Sequence, residues 1–209
     1  MCLDPLQDVK KNAYSFETDS GKADMVTGKV AANYQWSGDA VYTINEQETL
    51  EENLVALLKE KGMTLSTAES CTGGKLAGRL LNAAGASEVF NEGYITYANA
   101  SKEKILGVKH ETLEEFGAVS AQTAEEMARG AAKAAEADAA LSVTGIAGPG
   151  GGTKEKPVGL VYIGCAVNGR VTTRECHFTG NREKNRDYAV VRALTLLREE
   201  LLAAGQQQK

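Results

Sequence analysis

The stretch Met63–Ala84, MTLSTAESCTGGKLAGRLLNAA, contains the passage from strand to helix that decides the fold. Its first residues, MTLSTA, predict a short strand, and Gly74–Ala84 carries leucines at the spacing of one helix face. A strand that leads directly into a helix is the repeating unit of layered α/β proteins. This stretch therefore favours the α/β class.

The same alternation continues on both sides of this stretch. Helices are predicted from the leucine repeat at Leu50–Leu58, which Gly62 ends, and further along in the ranges 101–107, 121–137 and 184–203. The helix at 121–137 has an alanine-rich face, which predicts close packing against a sheet or another helix. Further strands are predicted in GYITYA (93–98), DAALSVTG (138–145), VGLVYIGCAV (158–167) and RVTTRECHF (170–178). Because Asn168-Gly169 is a strong two-residue hairpin signal, the last two strands are antiparallel and the sheet is mixed.

The composition of the 209 residues, 43% hydrophobic and 24% charged, is that of a globular protein. The net charge of −5 disfavours nucleic acid as a partner, since such binding needs a basic surface. The first residues lack the apolar core of a signal peptide, and no apolar stretch could span a bilayer, so we expect a cytoplasmic protein without membrane contact. The cysteines and histidines have no zinc-site spacing, which predicts a site without metal or cofactor. They are Cys2, Cys71, Cys165, Cys176, His110 and His177.

Residues 1–46 differ from the rest of the chain. They are polar and rich in turn formers, yet they hold five aromatic side chains, which a disordered tail would usually lack. We expect an arm with short strands at Lys29–Tyr34 and Ala40–Ile44 that docks on the main domain or on a second subunit. A loosely ordered extension without function is the alternative. The glutamine-rich residues 204–209 predict a flexible tail.

The turn TAESCTGG (67–74) is the first candidate site. It would bring Glu69, Ser70 and Cys71 to the carboxyl edge of the sheet, where open α/β sheets bind ligands. A serine there could attack a carbonyl carbon, with backbone N–H groups of the turn holding the oxyanion. Alternatively, Ser70 or Thr72 only caps the helix. Cys71 is a rival nucleophile, although no histidine lies in a motif beside it.

The segment YITYANASKEK (94–104) is the second candidate. With two histidines and neither in a motif, a serine–lysine pair is the remaining variant of triad chemistry. We expect Ser101 to be the helix N-cap and Lys102 the first helical residue, where the positive helix end would lower the lysine pKa. Tyr97 could hydrogen-bond either group or stack on a ring. The alternative for Lys102 is an ordinary solvated surface lysine.

The third candidate is the glycine-rich segment TGIAGPGGG (144–152). Glycines allow the backbone to approach a ligand closely and to donate N–H groups to phosphate oxygens. The segment is neither a P-loop nor the dinucleotide-binding pattern, and a flexible lid is the alternative. Nearby side chains that could contact a phosphate are Lys154, Lys156, Arg182 and Arg186.

Five motifs together resemble one family: STAESCTGG, GYITYANASKEKILGV, GAVS, SVTGIAGPGGG and KPVG. In this order and spacing they are similar to the CinA carboxy-terminal domain, the family of nicotinamide mononucleotide (NMN) amidohydrolases. The resemblance covers Gln47 to Leu202 and places the domain at residues 47–203. It implies a three-layer α/β/α sandwich with a mixed, mostly parallel five-stranded sheet. It also implies hydrolysis of the NMN carboxamide to nicotinate mononucleotide and ammonia in NAD recycling, without a metal, by a homodimer or higher homo-oligomer.

The resemblance also assigns roles to residues. It implies Ser70 as nucleophile, Lys102 as base and Tyr97 as an assisting residue. Asn181 stands where the family commonly has aspartate in a G-D-R stretch, which puts a role of Arg182 in doubt. Two alternatives stay open: a non-catalytic nucleotide-binding or interaction module, and an amidase with another substrate. The substrate-binding residues expected are Glu69, Cys71, Thr72, Gly73, Gly74, Asn99, Thr144, Gly145, Ala147, Gly148, Gly152 and Arg182.

Overall fold

The computed structural model describes residues 49–206. The predicted arm strands at 29–34 and 40–44 lie outside the described residues, as do residues 207–209. None of the helices within 49–206 is long and apolar enough to cross a membrane.

Helices and strands alternate along the described residues, as the sequence predicts. In chain order the elements are α1 Leu50–Lys61, β1 Leu65–Glu69, α2 Lys75–Leu80, a 3₁₀ turn Ala86–Glu88, β2 Phe90–Ile95, α3 Asn99–Leu106, α4 His110–Phe116, α5 Ala121–Ala134, β3 Ala139–Gly145, β4 Leu160–Val167, β5 Arg170–His177 and α6 Arg182–Gln206.

The five strands form one mixed sheet in the order β2-β1-β3-β4-β5. Strand β1 pairs in parallel with both β2 and β3, whereas β4 is antiparallel to β3 and to β5. Four strands therefore run in one direction and β4 runs in the other. The turn between β4 and β5 has positive φ angles at Asn168 (49°) and Gly169 (81°), the combination that a two-residue hairpin requires. The predicted mixed sheet and its hairpin are confirmed.

Helices cover both faces of the sheet and bury two apolar cores, which gives the predicted three layers. Helices α1, α2 and α6 pack on one face, and α3, α4 and α5 pack on the other. The first core contains Leu54, Leu58, Leu76, Leu80, Leu194 and Leu197 against Leu65, Val143 and Ile163 of the strands. The second contains Leu106, Leu113, Met127, Ala128 and Ala131 against Ala68, Ala140 and Ala166.

Small residues let α5 lie unusually close to its neighbours, as its alanine-rich face predicts. The Ser142 hydroxyl of β3 donates to the Ala124 carbonyl of α5 over 2.5 Å. A Cβ atom at Gly164 would lie 2.5 Å from the same carbonyl oxygen, and one at Gly130 would lie 2.0 Å from the Leu106 carbonyl oxygen. The backbone of α3 therefore rests directly on that of α5 at Gly130.

Several element boundaries differ from the sequence predictions. Helix α3 begins at Asn99 with Ala98 as its N-cap, so the prediction that Ser101 caps this helix is wrong. The reason is that Ala98 has extended backbone (φ −82°, ψ 152°) and its carbonyl already accepts from the amides of Ser101 and Lys102. Helix α4 was not predicted, β2 lies three residues earlier than expected, and α2 ends at Leu80. Helix α6 continues to Gln206, beyond the expected end at 203.

The close contact at Gly130 generates a stability prediction. Gly130→Ala is expected to destabilise the protein by about 1–3 kcal/mol, because the added methyl group collides with the Leu106 carbonyl. Gly78→Ala in α2 is the matched control, since a Cβ there meets nothing within 4 Å. That substitution should stabilise the protein by about 0.5–1 kcal/mol through the better helix propensity of alanine. Urea unfolding measures both values, and equal stability of the two variants would contradict the prediction.

Candidate active site

Three strand ends bring the candidate residues to one edge of the sheet. Ser70 follows β1, Thr96 follows β2, and the glycine-rich segment follows β3. The Ser70 amide donates to the Val143 carbonyl and the Thr96 amide donates to the Glu69 carbonyl, each over 2.9 Å. Because these three strands are parallel, their carboxyl ends meet and the three motifs form one site.

The central contact of this site joins Ser70 and Lys102. The Lys102 Nζ atom lies 3.2 Å from the Ser70 Oγ atom, although the two residues are 32 positions apart in the chain. Ser70 is 8% exposed and Lys102 only 1% exposed. The alternative of a solvated surface lysine is therefore wrong, and the expected pairing of a serine with a lysine is present in the structure.

The other contacts of the Lys102 amino group are two backbone carbonyls, which leave the neutral amine its lone pair. Nζ donates to the carbonyl oxygens of Thr96 (2.8 Å) and Tyr97 (3.2 Å). A neutral amine has two N–H bonds and one lone pair, and carbonyl oxygens can only accept. In the neutral state both N–H bonds go to these carbonyls and the lone pair is left for the Ser70 hydroxyl, whereas the ammonium would donate its third N–H to Ser70 Oγ. The arrangement can therefore accept the serine proton, which is what nucleophilic attack by the hydroxyl requires.

The pKa of Lys102 is lowered from its ordinary value, but for a different reason than the sequence suggested. Burial removes the water that would stabilise the ammonium, and this desolvation is the main cause of the lower pKa. Lys102 is the fourth residue of α3, not the first, so the positive helix end is not the explanation. The expected direction of the shift was right and its expected cause was wrong.

Cys71 is unsuited to act as the nucleophile. Burial raises the pKa of its thiol to about 11, so the sulfur stays protonated near neutral pH. The thiolate, not the thiol, is the reactive form of cysteine. Ser70, with an amine beside it, is the better nucleophile of the two.

Glu69 stabilises the turn instead of facing a ligand. Its carboxylate is 1% exposed and accepts hydrogen bonds from three backbone amides. The donors are the N–H groups of Gly74 (2.9 Å), Leu76 (3.0 Å) and Ala77 (2.9 Å). This carboxylate satisfies the otherwise unpaired amides at the start of α2, and its negative charge lies at the positive end of that helix.

Three amides of the turn are left to hold an oxyanion. The Ser70 amide donates to Val143 and the Gly74 amide to Glu69, so neither is available. Within residues 49–206 the amides of Cys71, Thr72 and Gly73 donate to no other residue. Gly73 has φ +57° and Gly74 has φ +92°, which explains why glycines stand there.

The guanidinium of Arg186 in α6 holds the other side of the same turn. Nε donates to the Cys71 carbonyl over 3.0 Å and Nη2 donates to the Thr72 carbonyl over 2.5 Å. The sequence suggested Arg186 as a phosphate contact, and the structure places it on backbone carbonyls. The pairing could not be read from the sequence, because Arg186 and Cys71 lie 115 residues apart.

The glycine-rich segment is tied to the amino-terminal end of α6. Asn185 Nδ2 donates to the Ala147 carbonyl over 3.0 Å, and Arg182 Nη1 donates to the Gly148 carbonyl over 2.8 Å. Asn185 is fully buried, and sequence analysis missed it. The Thr144 hydroxyl is also committed, since it donates to the Ala118 carbonyl over 2.6 Å. The remaining expected binding residues in this segment are Gly145, which is half-buried at the strand end, and Gly152, which is exposed.

Tyr97 and Asn99 differ from the expected picture of the site. The Tyr97 side chain is 65% exposed, and among the described residues its hydroxyl bonds neither Ser70 nor Lys102. Its backbone carbonyl, not its side chain, contacts Lys102. Asn99 is exposed at the first position of α3. The part of the chain that the structure describes contains no group of three or more His, Cys, Asp or Glu side chains that could hold a metal ion.

The family model and the sequence relatives found by comparison with known proteins carry the same family name. The model of the CinA C-terminal domain family matches residues 47–201. A CinA-like protein of Kosmotoga olearia is 54% identical over 165 residues, which cover 79% of this chain and 40% of that protein. The chain thus spans about two fifths of the length of the curated relatives it matches.

Solved structures agree with the sequence relatives. The competence/damage inducible protein CihA from Agrobacterium tumefaciens is 47% identical with a TM-score of 0.70, over 72% of this chain and 92% of that chain. A competence-damaged protein (CinA) superfamily protein from Escherichia coli is 36% identical with a TM-score of 0.70, over 81% of this chain and 98% of that one. The α/β fold of the described residues matches these structures.

The reactivity of Ser70 can be tested without knowing the substrate. A fluorophosphonate probe should label Ser70, because the hydroxyl can pass its proton to Lys102 while fluoride leaves phosphorus. Ser70→Ala should abolish labelling, whereas Cys71→Ala should still be labelled because its serine–lysine pair is intact. Intact-protein mass spectrometry measures the added mass. Labelling of Ser70→Ala, or its loss only in Cys71→Ala, would contradict the assignment of the nucleophile.

The lowered pKa of Lys102 predicts how the labelling rate depends on pH. A protonated amine cannot accept the serine proton, so the rate should rise with pH as Lys102 loses its proton. The midpoint should lie below the ordinary lysine value of about 10.4. Lys102→Arg keeps the charge and cannot lose its proton in this range, so it should react at least about 10²-fold more slowly, the lower scale of base catalysis. A pH profile of Lys102→Arg that equals the wild-type profile would show that Lys102 is not the base.

Proposed function

The chain belongs to the CinA C-terminal domain family, and from this premise we propose that it hydrolyses the carboxamide of NMN to nicotinate mononucleotide and ammonia. The observation that carries this proposal is the buried contact between Ser70 Oγ and Lys102 Nζ at 3.2 Å. A serine hydroxyl beside a neutral amine is suited to acyl transfer from an amide. The mononucleotide as the substrate rests on the family resemblance of the motifs that surround this contact.

In the first step Ser70 Oγ attacks the carboxamide carbon while its proton passes to Lys102 Nζ. The C=O double bond becomes a C–O⁻ single bond, and in this proposal the amides of Thr72 and Gly73 hold that oxygen. Such donors act in the transition state, where charge builds up on the oxygen. Thr96 and Tyr97 keep the lysine nitrogen in place through their carbonyls during the transfer.

In the second step the C–N bond breaks and the leaving nitrogen takes the proton from Lys102, so that ammonia departs. The acyl group stays on Ser70 as an ester. Lys102, neutral again, takes a proton from a water molecule whose oxygen attacks the ester carbon. The bond between that carbon and Oγ then breaks, Ser70 regains its proton, and the product acid is released. The same amine thus acts first as base and then as acid.

The phosphate of the substrate requires donors, and the glycine-rich segment is the proposed place for it. Arg182 already donates one N–H to the Gly148 carbonyl and has further N–H groups for an anion. Arg182 is exposed, as are Gly150–Gly152, so a ligand could reach them. This arrangement supports a small anionic ligand next to the serine. We also propose that the protein acts as a homodimer or higher homo-oligomer, as the family resemblance implies.

The proposal predicts ammonia release from NMN by the purified protein. Nicotinamide riboside lacks the phosphate, and nicotinamide also lacks the ribose, so both should be hydrolysed more slowly than NMN. Ser70→Ala should lose at least about 10³-fold in turnover, the scale observed when a nucleophile is removed. Because side chains supply both nucleophile and base, EDTA should leave the rate unchanged. Coupled ammonia detection and chromatography of the nucleotide product measure each rate.

The outcomes of this assay separate the proposal from its alternatives. Faster release of ammonia from another carboxamide would indicate an amidase with a different substrate. A protein that binds NMN but releases no ammonia from any carboxamide would be a non-catalytic nucleotide-binding module, and the proposal would be wrong.

A further inference from the structure

Arg186 has an unusual position for a cation near an anionic substrate. Two of its nitrogens are used on two successive backbone carbonyls, those of Cys71 and Thr72, at 3.0 and 2.5 Å. The side chain is half-buried, and α6 lies on the face of the sheet opposite to α3, which carries Lys102. The guanidinium therefore contacts the turn on the side that faces away from Lys102.

Because a peptide unit is planar, the two Arg186 contacts on carbonyls also fix the direction of two N–H groups. The bonds between Cys71 and Thr72 and between Thr72 and Gly73 are trans, so each C=O points opposite to the N–H of the same peptide unit. With both carbonyls directed at Arg186, the amides of Thr72 and Gly73 point away from α6. They are thereby directed toward the face of the sheet that carries Ser70 and Lys102. They are two of the three amides of the turn that donate to no other residue.

We propose that Arg186 is a positioning residue that sets these two amides as the oxyanion hole. The inference rests on the proposed acyl-transfer function of the Ser70–Lys102 pair. The positive charge of the guanidinium also polarises both peptide units, which makes the N–H groups of Thr72 and Gly73 stronger donors. This role differs from phosphate binding, because the N–H groups of the guanidinium that face the turn already donate to the two carbonyls.

The surrounding contacts distinguish this role from general support of the turn. Glu69 independently anchors the following amides, from Gly74 to Ala77, so the start of α2 has its own support. Among the described side chains, Arg186 alone contacts the carbonyls of Cys71 and Thr72, which precede this segment. A Cβ at position 73 would lie 3.3 Å from Nη2, so glycine permits the close approach of the guanidinium.

The test compares Arg186→Met with Asp187→Asn as the matched control. Asp187 is the next residue of α6 and pairs with Lys75 of α2, so its variant disturbs the same helices without touching the turn carbonyls. Each variant is assayed in two ways: kcat and KM with NMN, and the rate of Ser70 labelling by the fluorophosphonate. In that labelling the P–O⁻ oxygen takes the place of the carboxamide oxyanion.

Arg186→Met should lose about 10²-fold in both kcat and labelling rate, the scale for removing an oxyanion donor. Its KM should stay within about twofold, and the midpoint of its pH profile should not move, because the serine–lysine contact is intact. Asp187→Asn should keep both rates within about twofold of wild type. A merely structural role of Arg186 would instead lower the melting temperature and shift KM or the pH midpoint as well.

Either of two results overturns the inference: Arg186→Met with near wild-type labelling, or an equal loss in Asp187→Asn. If Arg186→Met does not fold, Arg186→Gln is decisive, since it keeps one donor for the carbonyls and should still lose about tenfold. Failure of the proposed function looks different. Wild type would then release no ammonia from NMN but still be labelled, and the labelling rates alone would decide on Arg186. A wild type that shows neither reaction overturns both proposals.

Discussion

The site depends on a lysine amino group that is kept away from water. With 1% of Lys102 exposed, an ammonium at this position would lose most of its hydration, and the two carbonyls beside it could replace only part of that. Burial therefore lowers the pKa of Lys102, which makes the neutral amine, the form that can accept the serine proton, easier to reach. The same burial that is unfavourable for the charged state thus creates the base. The close contact of α3 with α5 at Gly130 fixes the position of the helix that carries Lys102.

The turn after β1 is held from two sides by opposite charges. The Glu69 carboxylate takes amides on the α2 side, and the Arg186 guanidinium takes carbonyls from the α6 side. Together these two side chains fix the direction of every peptide unit from Cys71 to Gly73. Because a backbone held in this way needs no reorganisation when charge develops, such preorganisation is what electrostatic catalysis requires. The conformations of Gly73 and Gly74, with positive φ angles, make this double anchoring possible.

Local patterns in the sequence predicted the layered α/β fold, whereas the pairing of Ser70 with Lys102 was implied by the family resemblance of the motifs. The sequence could not predict what depends on contacts distant in the chain. Lys102 is buried against Ser70 from 32 residues away, and Arg186 binds the Cys71 carbonyl from 115 residues away. Asn185 contacts Ala147 from 38 residues away, and nothing in its neighbourhood indicates this. For Glu69 the sequence predicted substrate binding, whereas in the structure its carboxylate accepts hydrogen bonds from backbone amides of the turn and α2.

The β4–β5 hairpin has a practical consequence for engineering the protein. Its turn at Asn168-Gly169 lies beside Asp138, at the start of β3, whereas the site lies at the opposite end of that strand. An affinity tag or a fluorescent domain joined at this turn would project from the far end of the sheet. Such a fusion would leave the approach to Ser70 open, so the hairpin is a suitable place for surface immobilisation in an oriented manner.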